Sequence, residues 1–266
     1  MSEIKFEIDG EEPAFDPVKN AQKAMRAVLP KRFYKIAEAV ETETGFAVQL
    51  DGRTAKTSGK NPLVLPTHAL ADLVAAEFGA QKEFIDPFSM PVLRIVNPAL
   101  DSVTDLMMEV RTDIANYAGT DMLCYRANEP DRLIARQNAM WNPIITRVEH
   151  EIGARFILAE GVMHVAQLQP TLTAFARRLE VATPDPFTLS ATHVMTSLSG
   201  SAMLALSVTA GWMSAVDAWT AAHLDEDWTI EFWGQDLEAS VRRAKRLQEF
   251  EAAAKVISAA RRNQTI

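Results

Sequence analysis

The chain has 266 residues, 48% of them apolar and 23% charged, the balance of an ordinary globular protein with room for one large domain or two modest ones. A formal net charge of −8 and a pI near 5.2 argue against nucleic acid as a partner, which calls for a basic footprint; no apolar run reaches the roughly 18 residues a membrane span needs. One cysteine, Cys124, leaves no internal disulfide and no thiolate metal cluster.

Residues 1–30 are polar and acidic, punctuated by Pro13, Pro17 and Pro30. They read as a loosely ordered arm with a short helix from Lys19 to Val28. The arm has neither the apolar core of a secretory signal nor the Arg-rich, acid-poor character of a transit peptide, so a cytoplasmic location is expected. From Arg32 the pattern changes. Phe33–Thr42, Phe46–Leu50 and Arg53–Thr57 are short strand-like runs, and Asp51-Gly52 between two of them is a hairpin signal. Pro66-Thr67 opens a helix with Thr67 as its N-cap and Leu70, Leu73, Val74 and Phe78 on the inner face. Met90–Val96, among prolines, suggests one more extended piece.

Beyond Asp101 the strand signals almost vanish. Helices are expected over Val103–Tyr117, Pro130–Met140, Pro143–Phe156, Pro170–Leu179, Pro186–Thr209 and Ala215 to about Arg261. Asn142-Pro143 and Asp185-Pro186 have the cap-then-proline order of helix starts. The fold class is therefore α+β: an antiparallel β-meander domain with a helix over residues 31–101, then an all-α helical bundle over 102–266.

Catalytic motifs are missing. Gly52–Lys60 has glycines and lysines but not the spacing of a phosphate loop, and reads as a basic hairpin. His223, Asp225 and Asp227 lie close in sequence, yet residues two apart point about 200° apart on a helix, so no metal ligand set is expected. Cys124 reads as buried and inert, and Asp121 with Arg126 as a structural ion pair. No catalytic residue and no cofactor is assigned.

The stretch Leu224–Arg243, L-D-E-D-W-T-I-E-F-W-G-Q-D-L-E-A-S-V-R-R, stands apart because acids and large aromatics alternate in it. Wound as one helix, it places Trp219, Ala222, Glu226, Ile230, Trp233, Leu237, Val241 and Ala244 on a single stripe. That stripe reads as a structural seam, with Trp219, Glu226 and Trp233 its telling members. Glu226 there needs a cationic partner, an exposed position or a protein contact. A neighbouring stripe holds Asp225, Trp228, Phe232 and Asp236, with Glu238 beside the seam and supported by Arg242 at i+4.

Several segments together resemble one family. They are R-F-Y-K at 32–35, V-Q-L-D-G-R at 48–53, P-L-V-L-P-T at 62–67, D-P-F-S-M-P at 86–91, Y-A-G-T-D-M-L-C-Y-R at 117–126, L-D-E-D-W at 224–228 and W-G-Q-D-L-E at 233–238. The family is the assembly chaperone of mitochondria and alphaproteobacteria that acts on the alpha subunit of the F-type ATP synthase head. Phe78 departs from the family's usual tryptophan, and Asn97-Pro98 interrupts its usual small-residue run. The resemblance implies a non-enzymatic protein, taken as a monomer in a bacterial cytoplasm, or in the mitochondrial matrix for an organellar homologue. It would bind the unassembled ATP synthase alpha subunit and keep it from aggregating. It also implies that the important acid lies in W-G-x-D-x-E, so Glu238 is carried over first and Asp236 next. Asp225, Trp228 and Phe232 complete the expected partner-binding set, since aromatic anchors ringed by charge suit a protein interface. The competing reading is an acid–base hydrolase using Asp225, Glu226 or Glu238 with a histidine, which would require a cleft holding a carboxylate of raised pKa.

Overall fold

A computed structural model describes residues 29–161 and 165–261; the helix expected at Lys19–Val28 lies outside them. Strands β1 (Ala37–Thr42) and β2 (Gly45–Leu50) pair antiparallel from Thr42↔Gly45 back to Ala37↔Leu50. β3 (Arg53–Thr54) and β4 (Val64–Leu65) both pair antiparallel with β2. The β2–β3 turn is Asp51-Gly52, with φ of +48° and +77°, the two left-handed positions of a type I′ turn. The Asp51 carboxylate also accepts from the amides of Ile36 (2.8 Å) and Lys35 (3.0 Å), and those bonds hold its carboxyl below the usual range. The loop that follows is closed by a side chain of its own fold. Asp101 accepts from the Thr57 hydroxyl, from Gly59 N at 2.7 Å and from Asn61 Nδ2 at 2.9 Å.

Helix α1 (His68–Ala80) begins at Thr67, whose hydroxyl accepts from Leu70 N at 3.2 Å and donates to the Ala259 carbonyl at 2.5 Å. One side chain thus caps the first helix and ties it to the last. Met90–Val96, expected to be extended, is helical instead: α2 runs Pro91–Pro98 and passes into a π-turn over Ala99–Val103. Pro91 stands in the first turn, where its missing N–H costs nothing. The amides of Val92 and Leu93 donate to the Glu77 carboxylate at 2.7 and 2.8 Å. Burial pushes that carboxyl up, and the cap comes from another helix, out of reach of a local reading.

The remaining helices are α3 (Met107–Ala118), α4 (Asp131–Ile152), α5 (Gln169–Ala182), α6 (Pro186–Ser199), α7 (Ala202–Thr209), α8 (Ala215–Ala222), α9 (Leu224–Trp233) and α10 (Leu237–Ala260). A short parallel pair, β5 (Tyr125–Arg126) with β6 (Ala159–Glu160), lies among them. Asp185 caps α6 as the Asp-Pro order implies, accepting from Phe187 N and Thr188 N at 2.9 Å. Asn142-Pro143 does not start a helix, because α4 runs through it with Pro143 inside. There the fully buried Trp141 donates to the Ala221 carbonyl at 2.9 Å, and Asn142 accepts from Arg126 at 2.8 Å. Tertiary contacts on both sides outweigh the proline. The expected helix Pro186–Thr209 is divided at Gly200, where φ is +70°, and the expected helix Ala215–Arg261 is three helices.

Helix α7 is the hub. Ala202 through Ser207 and Thr209 are all buried, and it packs against α3, α4, α5, α6, α8 and α10. Asp121, fully buried, stands at its head and accepts from Ser201 Oγ at 3.0 Å, Met203 N at 2.9 Å and Leu123 N at 3.1 Å. The ion pair expected between Asp121 and Arg126 is not what forms. Arg126 donates instead to the Leu123 carbonyl and to Asn138 and Asn142, while α7 claims the carboxylate. Cys124 is buried, its thiol pushed up to about 12 mainly by burial.

Burial likewise pushes the Asp121 carboxyl up to about 6, against the four donors that lower it, the Met203, Leu123 and Ala202 amides and the Ser201 hydroxyl. Replacing it with alanine orphans buried donors, each costing about 1–3 kcal/mol, so Asp121→Ala is expected to lose about 3 kcal/mol in urea denaturation at pH 7. A carboxyl whose pKa is higher folded than unfolded contributes stability that is complete below about pH 4 and lost as pH rises through about 6. The deficit of the alanine variant should therefore be larger at pH 4 than at pH 7; equal deficits would exclude the shift.

Candidate protein-binding surface

Helices α8, α9 and α10 carry every residue singled out in the acidic-aromatic stretch, but three helices do not share one wheel. Trp219 on α8 is buried, stacked on the His223 ring at 3.9 Å and against Phe250 at 5.4 Å. His223 donates from Nδ1 to the Trp219 carbonyl at 2.8 Å, which fixes its tautomer, and burial lowers its pKa. α8 ends and α9 begins at His223, whose φ of −109° and ψ of 16° interrupt the helix. Gly234, with φ of +81°, ends α9. Asp236 then caps α10, accepting from Glu238 N at 3.0 Å, and the azimuth is reset again.

The consequence is an inversion. Trp233, expected on the inner seam, is 87% exposed, and Leu237 is 80% exposed; Phe232 and Val241 are exposed as well. Residues 231 to 239 all face solvent. Trp233, Leu237 and Val241, which a continuous helix would bury, are therefore exposed at the corner where α9 meets α10. Glu226, also placed on that seam, is largely exposed, 3.9 Å from His223 Nε2 and 4.0 Å from Arg243. It is a surface acid with cationic company.

Of the expected partner-binding residues, Phe232 lies on this corner. Trp228 is half-buried against it, ring centroids 4.9 Å apart, with the Arg132 guanidinium 6.0 Å above the indole. Asp225 faces inward far enough to accept from Gln137 Nε2 at 2.9 Å. Asp236 is exposed but occupied as a helix cap, and Glu238 is exposed and paired with Arg242. Glu231 and Asp227 are engaged in turn by Arg136, at 2.5 Å, and by Arg243. The surface is therefore an apolar centre with a rim of already paired charges, rather than a bare acidic face. Sequence reasoning placed Trp233 on the inner seam while also counting it, with Trp228 and Phe232, among possible anchors, and missed Leu237 and Val241 as surface residues. The signal that could have found them is Gly234-Gln235-Asp236, a helix stop followed by a helix start.

The corner is held from behind. The distal half of α10 is buried through Phe250, Ala252, Ala253, Val256, Ile257 and Ala260. Arg246 donates to the Leu198 carbonyl at 2.7 Å, and Arg94 pairs with Glu249 at 2.7 Å. Apolar residues projecting from an anchored helix can meet a partner without an ordering cost in the backbone.

The chain as a whole is similar to known proteins. The family model for the ATP12 chaperone protein matches residues 31–149. A crystal structure of a candidate chaperone from Agrobacterium tumefaciens is 46% identical, covers 92% of each chain and superposes with a TM-score of 0.84. Atp12 from Paracoccus denitrificans is 37% identical, over 87% of this chain and 99% of its own, with a TM-score of 0.80. An aspartate-to-lysine variant of the Paracoccus protein matches at 36% identity, over 87% of this chain and 98% of its own, with the same score.

The inversion sets two tryptophans against each other. Trp219→Ala leaves a cavity in the core and is expected to cost about 3–5 kcal/mol, whereas Trp233→Ala, at an exposed site, should stay within about 0.5 kcal/mol of the parent. Thermal melts of the two variants decide it: a large loss for Trp233→Ala would return that residue to the core.

Proposed function

The chain belongs to the ATP12 chaperone family, and from that premise we propose that it binds the unassembled alpha subunit of F-type ATP synthase. It would cover the surface that later meets a beta subunit, as a monomer in a bacterial cytoplasm and without turnover. The α9–α10 corner is the proposed contact, through Phe232, Trp233, Leu237 and Val241, with Trp228 behind them and Asp225, Asp236 and Glu238 around them. The observation that carries this reading is the exposure of Trp233 and Leu237 on an anchored helix. Contiguous exposed apolar area rimmed by charge is the mark of a protein contact.

The hydrolase reading asks for a raised carboxyl in a cleft beside a second titratable group. Among the described residues the carboxyls that burial raises are Asp121 and Glu77, and both cap helix N-termini in this fold. That favours binding over catalysis. Among the described residues no helix is long and apolar enough to cross a membrane, which fits a protein that meets its client before membrane assembly.

Co-expression with alpha alone is expected to keep alpha soluble and co-purifying, while beta alone is not captured. Removing two hot-spot side chains in Trp233→Ala/Leu237→Ser should weaken binding at least about 30-fold, the equivalent of about 2 kcal/mol, with an unchanged melting temperature. Glu238→Lys should weaken it about tenfold. Capture of beta rather than alpha would overturn the client assignment; wild-type affinity in the double variant would move the contact elsewhere.

A further inference from the structure

Strand β1 ends its sheet: β2 lies on one side of it, and among the described residues no strand lies on the other. The ladder determines which backbone groups that edge presents. Val48 N donates to the Leu63 carbonyl at 3.0 Å, and the Val48 carbonyl accepts from Ala55 N at 2.8 Å, so both groups turn away from β1. Opposed residues of an antiparallel pair either bond to each other or both turn away. Ala39, opposite Val48, therefore turns its own N–H and C=O away from β2, and Ala37 and Glu41, two positions to either side, do the same. Such a row of outward backbone groups is a template for a further strand.

Charge selects what can pair there. Glu38, Glu41 and Glu43 are exposed along the strand and its turn, and among the described residues no cation pairs with them. Lys35 and Arg53 lie at the far end of the sheet, by the Asp51 turn. Ala37 and Ala39 pack toward the core, so alternation puts Ile36, Glu38 and Val40 on the other face, where Ile36 is exposed. Two copies joined along this edge would set both rows of carboxylates on one seam, and like charges there oppose pairing. We propose that the β1 edge binds an extended basic segment of a partner protein, added as one more antiparallel strand. Read along the added strand, Lys or Arg lies opposite Glu41, an apolar residue opposite Val40, a second Lys or Arg opposite Glu38 and a second apolar residue opposite Ile36. Main-chain bonds to Ala37, Ala39 and Glu41 hold the segment, and the acids select its sequence. The edge shares no element with the α9–α10 corner, so its occupant does not depend on the client proposed there.

Fluorescence anisotropy on the full chain tests it, with the labelled peptide T-K-V-T-K-T-V-T as the probe. Saturable binding tighter than about 1 mM is expected, and the same peptide with glutamate for lysine should bind at least about tenfold more weakly. N-methylation of the peptide amides opposite Ala37, Ala39 and Glu41 leaves the protein untouched and should abolish binding, whereas N-methylation of the intervening amides should not. Ala39→Pro removes one outward N–H at an edge, where proline is tolerated, and should weaken binding at least about tenfold. Glu38→Lys/Glu41→Lys should reverse the preference between the two peptides. Hydrogen exchange read by NMR should find the amides of Ala37, Ala39 and Glu41 unprotected in the free chain and slowed about tenfold by the peptide. Absent saturation, equal affinity for both peptides or indifference to N-methylation would overturn the proposal. Protection of those amides in the free chain would assign the edge to the chain's own residues, or to a second copy where it grows with protein concentration. Either of those results also overturns it.

Discussion

Helix α7 is buried on every side, so its first amides cannot turn to water and must be met by the protein itself. Asp121 does this from outside the helix, with the Ser201 hydroxyl and the Met203 amide on one carboxylate oxygen and the Leu123 amide on the other. A neutral acceptor could satisfy fewer donors. The desolvation that raises the Asp121 carboxyl is the cost of a connection that joins the turn at 122–124 to the hub of the bundle. With α7 in place, α3, α4, α5, α6, α8 and α10 have a common surface to pack on. Trp141 then fixes α4 to the end of α8 through the Ala221 carbonyl, and α9 leaves the body from there.

The projecting corner follows from how α10 is divided. Its distal half supplies core residues from Phe250 to Ala260, and the Thr67 hydroxyl ties its last turn to α1. Its proximal half supplies almost none. What holds Leu237 and Val241 in helical geometry is the helix's own ladder and the Asp236 cap, which accepts from Glu238 N at 3.0 Å. Exposed apolar area of this kind invites self-association. The Arg136–Glu231, Arg243–Asp227 and Arg242–Glu238 pairs surround it with both signs of charge, which opposes indiscriminate contact.

Legibility in the sequence followed the range of the interactions. The Asp51-Gly52 turn, the Thr67 cap and the Asp185 cap are settled by residues within four positions, and each was readable. Helix α2 was not, because its amides are met by Glu77 from another helix. Nor was the passage of α4 through Pro143, which depends on Trp141 reaching Ala221, 80 residues away. The role of Asp121 was hidden for the same reason, its partners Ser201 and Met203 lying 80 residues or more from it. The candidate surface was half legible. The mixture of aromatics and acids marks the stretch, but the seam read from it places Trp233 and Leu237 inside, where the fold exposes them. Periodicity holds only while the helix is unbroken, and Gly234 with its positive φ discards the phase before Leu237 is reached.

That exchange changes what the acids can contribute to a protein contact. Glu238, Glu231 and Asp227 are not free charges awaiting a partner's arginines, since each already has a guanidinium beside it. A partner cation would have to replace one of these, trading one exposed ion pair for another, and such pairs contribute only about 0–1 kcal/mol each. In the proposed contact the net attraction would therefore come from Trp233, Leu237 and Phe232, whose burial removes apolar area from water at about 25 cal/mol per Å². Charge then selects the partner and its orientation, while apolar burial sets the strength. For the proposed contact this divides the labour: the apolar centre would set the strength of the hold, and the paired rim its selectivity.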